Sequence, residues 1–259
     1  MSTLNIVEAR RDESVAPLVL IHALGADASS FTEVVAALDY PHVLLVDLPG
    51  HGGSAPLDLE GAATAGAIWN ALLSSLASLG VEKFHLAGVS IGGALTWYGA
   101  VHHADRLLSV TVLCAGPVNL PSEMWIERAA LVRAEGVFQL VEPTLRRWFT
   151  PDFLEGGASA VERTRQSYLS VDPEGYAQCC EVLASLDLRG MPVGDIPFQV
   201  GTGEFDEGFT VSMLHEAVLS LAEQTMVFGF VIEDAAHQVV VEQPQLVAKY
   251  LQAHLCDAV

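Results

Sequence analysis

Gly88-Val89-Ser90-Ile91-Gly92 places a serine between two spaced glycines, and its surroundings give that pattern mechanical meaning. Upstream, Lys83-Phe84-His85-Leu86-Ala87 is short and apolar enough for a buried strand. Downstream, Gly93-Ala94-Leu95-Thr96-Trp97-Tyr98 reads as the opening of a helix. A strand, a sharp turn carrying serine and a helix form a nucleophile elbow. The turn lifts the hydroxyl out of the sheet and sets it beside a helix N-terminus, where backbone N–H groups lack intrahelical partners. Glycine is required on either side because a side chain there would strike the adjacent strand or helix. Glycine and serine are also common in ordinary turns, so the elbow gains weight only from what surrounds it.

Outward from the elbow, apolar runs alternate with helical patterns, the signature of a parallel sheet wrapped by helices. Strands are expected at 17–22, 43–47, 84–89, 108–114, 197–201 and 226–232. Helices are expected at 30–38, 62–79, 92–102, 211–222 and 243–255. From about 121 to 188 the alternation stops, and helical segments at 124–134, 137–149, 161–170 and 173–186 are punctuated by Pro143, Pro151, Gly156-Gly157 and Pro173. The expected organisation is an α/β core of residues 1–120 and 189–259, with a helical cap of residues 121–188 inserted in it.

The 259 residues suit one α/β domain of ordinary size, and a hydrophobic content of 51% suffices for a large core. A net charge of −20 argues against nucleic acid and anionic membrane surfaces as partners. No apolar run approaches the length of a transmembrane helix, and residues 1–10 lack the layout of a signal peptide. Cys114, Cys179, Cys180 and Cys256 have neither metal-ligand spacing nor a disulfide rhythm. A cytoplasmic location with no metal or organic cofactor is expected.

A serine nucleophile needs a base and an acid that orients the base, and in this type of fold they follow it in the order acid, then histidine. His22, His42, His51 and His85 precede the serine. His237, between the last strand and the final helix, is the candidate base. Asp206, in Gly203-Glu204-Phe205-Asp206, is the candidate acid, with Glu204, Glu207 and Asp234 as neighbouring alternatives. Asp206 as a mere cap for the helix at 211 is the structural alternative. The oxyanion donors are expected to be the backbone N–H groups of Ile91 and of Leu24, in His22-Ala23-Leu24-Gly25. Asp47-Leu48-Pro49-Gly50-His51-Gly52-Gly53-Ser54 reads as a structural turn.

Leu20-Ile21-His22-Ala23-Leu24-Gly25, Asp47-Leu48-Pro49-Gly50-His51-Gly52, the serine elbow and Ala236-His237 together resemble the α/β-hydrolase superfamily. The helical segment is similar to the cap of the 3-oxoadipate (β-ketoadipate) enol-lactonases of bacterial aromatic-acid catabolism. The residues concerned are Trp125 to Arg133, Leu145 to Phe153, Asp172 to Cys180 and Asp187-Leu188-Arg189. The resemblance implies a serine hydrolase acting on a small anionic lactone or ester. Six of the ten arginines (Arg128, Arg133, Arg146, Arg147, Arg163 and Arg165) fall in this segment. In so acidic a chain they offer a grip for a carboxylate, unless cap acids pair with them. Arg133, flanked by Trp125 and Trp148 as apolar walls, is the candidate substrate contact. Competing functions are a general carboxylesterase or hydrolase of another lactone, a cofactor-free haloperoxidase or perhydrolase, and a ligand sensor without turnover. Oligomeric state is not encoded in any of these motifs.

Overall fold

A computed structural model describes residues 3–119 and 121–257, so the expected domain boundary at 120 falls on a residue outside them. Among the described residues, seven strands form one sheet: β1 (Ile6–Arg10), β2 (Leu18–Ile21), β3 (Val43–Val46), β4 (Phe84–Val89), β5 (Leu107–Leu113), β6 (Phe198–Gly203) and β7 (Val227–Ile232). Their order is β1-β3-β2-β4-β5-β6-β7, with β1 antiparallel to β3 and every other pair parallel. The central strands β2, β3 and β4 are buried at every position. Helices cover both faces of such a sheet, so its strands read as continuous apolar runs.

The six expected strands are all present. β1 was not expected, and its composition explains why. It is a five-residue edge strand, half-buried only at its ends, and Glu8 and Arg10 interrupt its apolar residues. Arg10 secures it by donating to the carbonyl oxygens of Val35, Leu38 and Tyr40.

Helices α1 (Thr32–Ala37), α2 (Ala65–Ser78) and α3 (Ile91–His102) follow β2, β3 and β4, while α9 (Val211–Ala222) follows β6. After β7 come a single turn, α10 (Val239–Glu242), and α11 (Pro244–Asp257). Between β5 and β6 the described residues make five helices: α4 (Ser122–Glu135), α5 (Phe138–Trp148), α6 (Pro151–Gly156), α7 (Ala158–Leu169) and α8 (Pro173–Ser185). The short α6 was not expected, because Pro151 and Gly156-Gly157 read as breaks. Pro151 instead occupies the first turn, where its missing N–H costs nothing, behind a Thr150 side-chain cap. The two ends of this insertion meet: Val118 bridges Asp187, and the Leu188 N–H donates to the Pro117 carbonyl at 2.8 Å. No helix among the described residues is long and apolar enough to cross a membrane.

The strand order places the functional candidates together. β2 and β4 are neighbours, so the loop carrying Leu24 and the turn carrying Ser90 leave the same edge of the sheet side by side. β6 and β7 are neighbours too, which brings Asp206 and His237 to that edge. Crevices outside the carboxyl ends of parallel strands are where open α/β sheets bind ligands.

Candidate active site

Ser90 stands between β4 and α3 with φ 58° and ψ −120°, a left-handed conformation unusual for a residue with a side chain. The strain persists because the surroundings fix the turn. A Cβ on Gly88 would run into the backbone of Gly92, and one on Gly92 into the Ile21 carbonyl. The collisions expected of the flanking glycines are thus with named atoms: the elbow is pressed against β2 on one side and its own helix on the other.

Asp206 is buried, and its Oδ2 accepts a 2.9 Å hydrogen bond from Nδ1 of His237. Oδ1 accepts from the N–H groups of Gly208 and Phe209 at 2.8 and 3.2 Å. Burial alone would push the carboxyl up. The charge and hydrogen bond of His237 and the two backbone donors outweigh it, and the net shift is downward. Asp206 is therefore an anion that fixes the His237 tautomer with its proton on Nδ1, leaving Nε2 to accept one. The neighbouring carboxylates do not take this place: Glu204 accepts from the Asp234 N–H at 3.1 Å.

Two groups around His237 gave no sequence signal. Glu242, buried on α10, accepts from the Ala236 N–H at 2.7 Å with one oxygen and from the Thr150 N–H and hydroxyl with the other. Its spacing from His237 and its place in an apolar run resemble those of any acid near a helix start. Burial raises its pKa against those hydrogen bonds. The Gln238 N–H also donates to the Trp148 carbonyl at 3.0 Å. The histidine loop is therefore stitched to the helical insertion at two points. Cys114, at φ 53°, places its Sγ within 4.8 Å of the ligating atoms of Asp206 and His237. Burial, then the Asp206 charge, push this thiol well up. Asp206 Oδ2 and His237 Nδ1 in this group are already engaged with each other.

The loop bearing Leu24 is held by two buried histidines. His22 Nε2 accepts from the Leu48 N–H at 3.0 Å, and His51 Nε2 accepts from the Gly25 N–H at 2.9 Å. Each Nδ1 donates to a carbonyl, of Ala23 and of Pro49. Only neutral rings fit this pattern. Burial, and then the neighbouring His22, push His51 down to about 3. Asp47 gathers the same turn by accepting from the N–H groups of Ala28 and Gly53. Residues 47–54 thus have the structural role expected of them. Ile91, the first residue of α3, offers an N–H that no preceding turn of helix can satisfy.

Ser90, Leu24, Asp206 and His237 line one cavity of about 390 Å³, a volume suited to a small molecule. The insertion supplies its far wall through Trp125, Arg128, Thr144, Trp148, Tyr168 and Tyr176, among others. Trp125 and Trp148 are therefore where the sequence placed them. Arg133 is not. Its guanidinium makes a two-pronged pair with Glu174 at 2.7 and 2.8 Å and reaches Glu181 at 2.6 Å, on the side of α4 that packs on α8. Arg128 faces the cavity instead, 5.1 Å from the Trp125 ring centroid. The two arginines lie five residues apart, roughly 140° around the helix, so only one can face inward. Arg128 has no carboxylate partner among the described residues. Two buried donors lining the same cavity, Trp125 Nε1 and Asn119 Nδ2, also lack partners among the described residues. Arg165 pairs with Glu142 and Glu162. Arg147 lines both the cavity and a wider adjoining groove of about 850 Å³.

Residues 18–250 match the model of the alpha/beta hydrolase family. The chain belongs to that family. Among curated relatives, 3-oxoadipate enol-lactonase 1 of Acinetobacter baylyi is 29% identical over 248 residues, covering 95% of this chain and 90% of that one. The (E)-2-((N-methylformamido)methylene)succinate hydrolase of the same organism is 28% identical, covering 92% and 90%. The crystal structure of the enol-lactonase from Burkholderia xenovorans LB400 superposes with a TM-score of 0.88 at 28% identity, over 98% of this chain and 96% of that one.

Proposed function

We propose that this alpha/beta hydrolase cleaves a carboxylate-bearing enol-lactone through an acyl-enzyme on Ser90. The observation that carries the proposal is the pairing of two sets of groups in one cavity. One set is Ser90 with the Asp206–His237 couple. The other is the trio of Arg128, Trp125 Nε1 and Asn119 Nδ2, donors left without protein acceptors. Buried donors normally have partners, and two of them in the same cavity as a guanidinium match the several lone pairs of a carboxylate. The likeness to two proteins named as enol-lactonases supports the choice of ring ester.

In this mechanism Nε2 of His237 takes the Ser90 proton as Oγ attacks the lactone carbonyl, while Asp206 stabilises the imidazolium. The N–H groups of Leu24 and Ile91 receive the oxyanion. Collapse breaks the ring C–O bond and expels an enol, protonated by His237, which tautomerises to the ketone. Water, deprotonated by His237, then cleaves the acyl-enzyme and frees a dicarboxylate. The insertion α4–α8 acts as the cap that selects the substrate, and Arg128 takes the place expected of Arg133. Cleavage of a plain carboxylic ester is the second reading, favoured by the apolar lining of Met124, Leu183, Phe209 and Met213.

A fluorophosphonate should label Ser90 in the folded protein, and absence of labelling would overturn the hydrolase mechanism. Turnover of 3-oxoadipate enol-lactone should exceed that of p-nitrophenyl acetate in kcat/KM. Fast ester cleavage with no lactone turnover would leave the second reading in place of the first.

A further inference from the structure

In the cavity that Arg128 lines, the insertion wall carries three hydroxyls in a row. Tyr168 and Tyr176 share a hydrogen bond of 2.6 Å, and Thr144 Oγ1 stands 3.4 Å from the Tyr168 oxygen. All three residues are buried and line the cavity. They come from three helices, α5, α7 and α8, so no single segment of sequence displays the group. Three hydroxyls carry three protons, but the row has only two links, one of them long. Among the described residues none of the three has another hydrogen-bond partner. Whichever way the row is oriented, at least one proton is left without an acceptor, and a buried O–H in that condition is costly.

We propose that Tyr168 and Tyr176 form a second subsite, which donates a hydrogen bond to an uncharged acceptor oxygen of a ligand whose carboxylate lies on Arg128. They are specificity-determining residues for small acids carrying a keto or ring oxygen a few bonds from the carboxylate. The inference rests on the carboxylate grip assigned above and adds the second group recognised. An uncharged acceptor fits better than a second carboxylate because the hydroxyls bring no charge of their own. Burial pushes both phenols up, so they stay protonated donors, and Arg128 lines the same cavity. The pair is also held firmly. The Tyr168 ring occupies the space over Gly25, where a Cβ would meet its Cε2 at 2.5 Å, and Tyr176 stacks on His51 with centroids 6.3 Å apart. A hydroxyl anchored this way has little freedom to turn elsewhere, which favours discrimination over mere affinity.

The test compares 4-oxopentanoate with pentanoate, two acids that differ by one keto oxygen, by calorimetric titration of the full chain. The native protein should bind 4-oxopentanoate about three- to tenfold more tightly, the effect of one net hydrogen bond. The double variant Tyr168→Phe/Tyr176→Phe should bring the two dissociation constants together while leaving that of pentanoate within about twofold. Each single variant removes only a hydroxyl, and at least one should lose most of the preference, so the question stays decidable if the double variant does not fold. No preference in the native protein, no saturable binding of either acid, or a preference surviving in both single variants would overturn the subsite. Fluorophosphonate labelling in the same preparations separates the two ideas. Labelled Ser90 without the preference sinks the subsite alone, whereas an intact preference without labelling sinks the hydrolase reading alone.

Discussion

On the sheet side of the cavity, Ser90, Leu24, Asp206 and His237 each stand just beyond a strand, and backbone contacts fix them. Gly92 lies against the Ile21 carbonyl, and Asp206 holds two backbone N–H groups. On the insertion side, Trp125, Arg128, Tyr168 and Tyr176 project from helices, and their partners are other side chains or none. The first wall has its serine turn and its Asp206–His237 couple fixed in place before any ligand arrives, as preorganised catalysis requires. The second holds donors in excess. Under the mechanism proposed above, a surplus of side-chain donors on one wall, facing Ser90 and His237 on the other, is what divides selection from chemistry. Changes on the sheet side should therefore remove turnover of every substrate, and changes on the insertion side should alter which substrate is preferred.

The largest expected effect is that of Ser90→Ala. It should lower kcat/KM for lactone and neutral ester alike by at least about 10⁴-fold, with an unchanged thermal melt. A residual rate within tenfold of the native protein would remove Ser90 from the chemistry and with it the distinction between the walls. Arg128→Ala comes next. A hydrogen-bonded charge pair contributes about 1.5–3 kcal/mol, so KM for a carboxylate-bearing substrate should rise about 10- to 100-fold. The kinetics of p-nitrophenyl acetate should stay within about threefold. Equal losses on both substrates would mean that Arg128 supports the fold and does not read a carboxylate.

Much of the sheet side was legible in the sequence because it is built from short consecutive stretches. The elbow needs glycines at fixed offsets from Ser90, and the order Ser90, Asp206, His237 survives any loop length. The insertion was legible as helices but not as a wall. Arg128 and Arg133 are equivalent in composition and spacing until α8 is placed, and Glu174 and Glu181 then claim one of them. Likewise Thr144, Tyr168 and Tyr176 are separate residues on separate helices until those helices pack. Helical periodicity tells which residues share a face and stays silent on what that face meets.

His51 touches both walls, accepting the Gly25 N–H of one and stacking on Tyr176 of the other, which makes the join between them testable by pH. Burial and the neighbouring His22 push the folded ring down to about 3 from the 6.5 of a free histidine. The folded state therefore binds fewer protons than the unfolded state across that window. The sign follows: stability is level above pH 7 and falls as pH drops below 6.5, by about 1.4 kcal/mol per unit from this group. At pH 5 the loss from His51 is about 2 kcal/mol. In an NMR titration the His51 ring should hold its neutral shift from pH 8 down to pH 5. A midpoint near 6.5 would show that the ring is not fixed between Gly25 and Tyr176, and the two walls would then be independent.

The smallest expected effect sharpens the contrast most. Arg133 has more acidic partners than any other arginine of α4, yet its side chain is 38% exposed and its pairs with Glu174 and Glu181 lie near the surface of the insertion. Exposed pairs contribute about 0–1 kcal/mol each, and none of these three residues lines the cavity. Arg133→Ala should lower the unfolding free energy by about 1 kcal/mol or less, an effect that fades in 1 M salt, and leave KM for the carboxylate substrate unchanged. Arg128→Ala, one and a half turns away on the same helix, should show the reverse pattern. Should Arg133→Ala raise KM for carboxylate substrates as Arg128→Ala does, the selective wall would be a diffuse field of positive charge. Selection would then come from the electrostatics of the whole insertion and not from the geometry of one guanidinium, one indole and one amide.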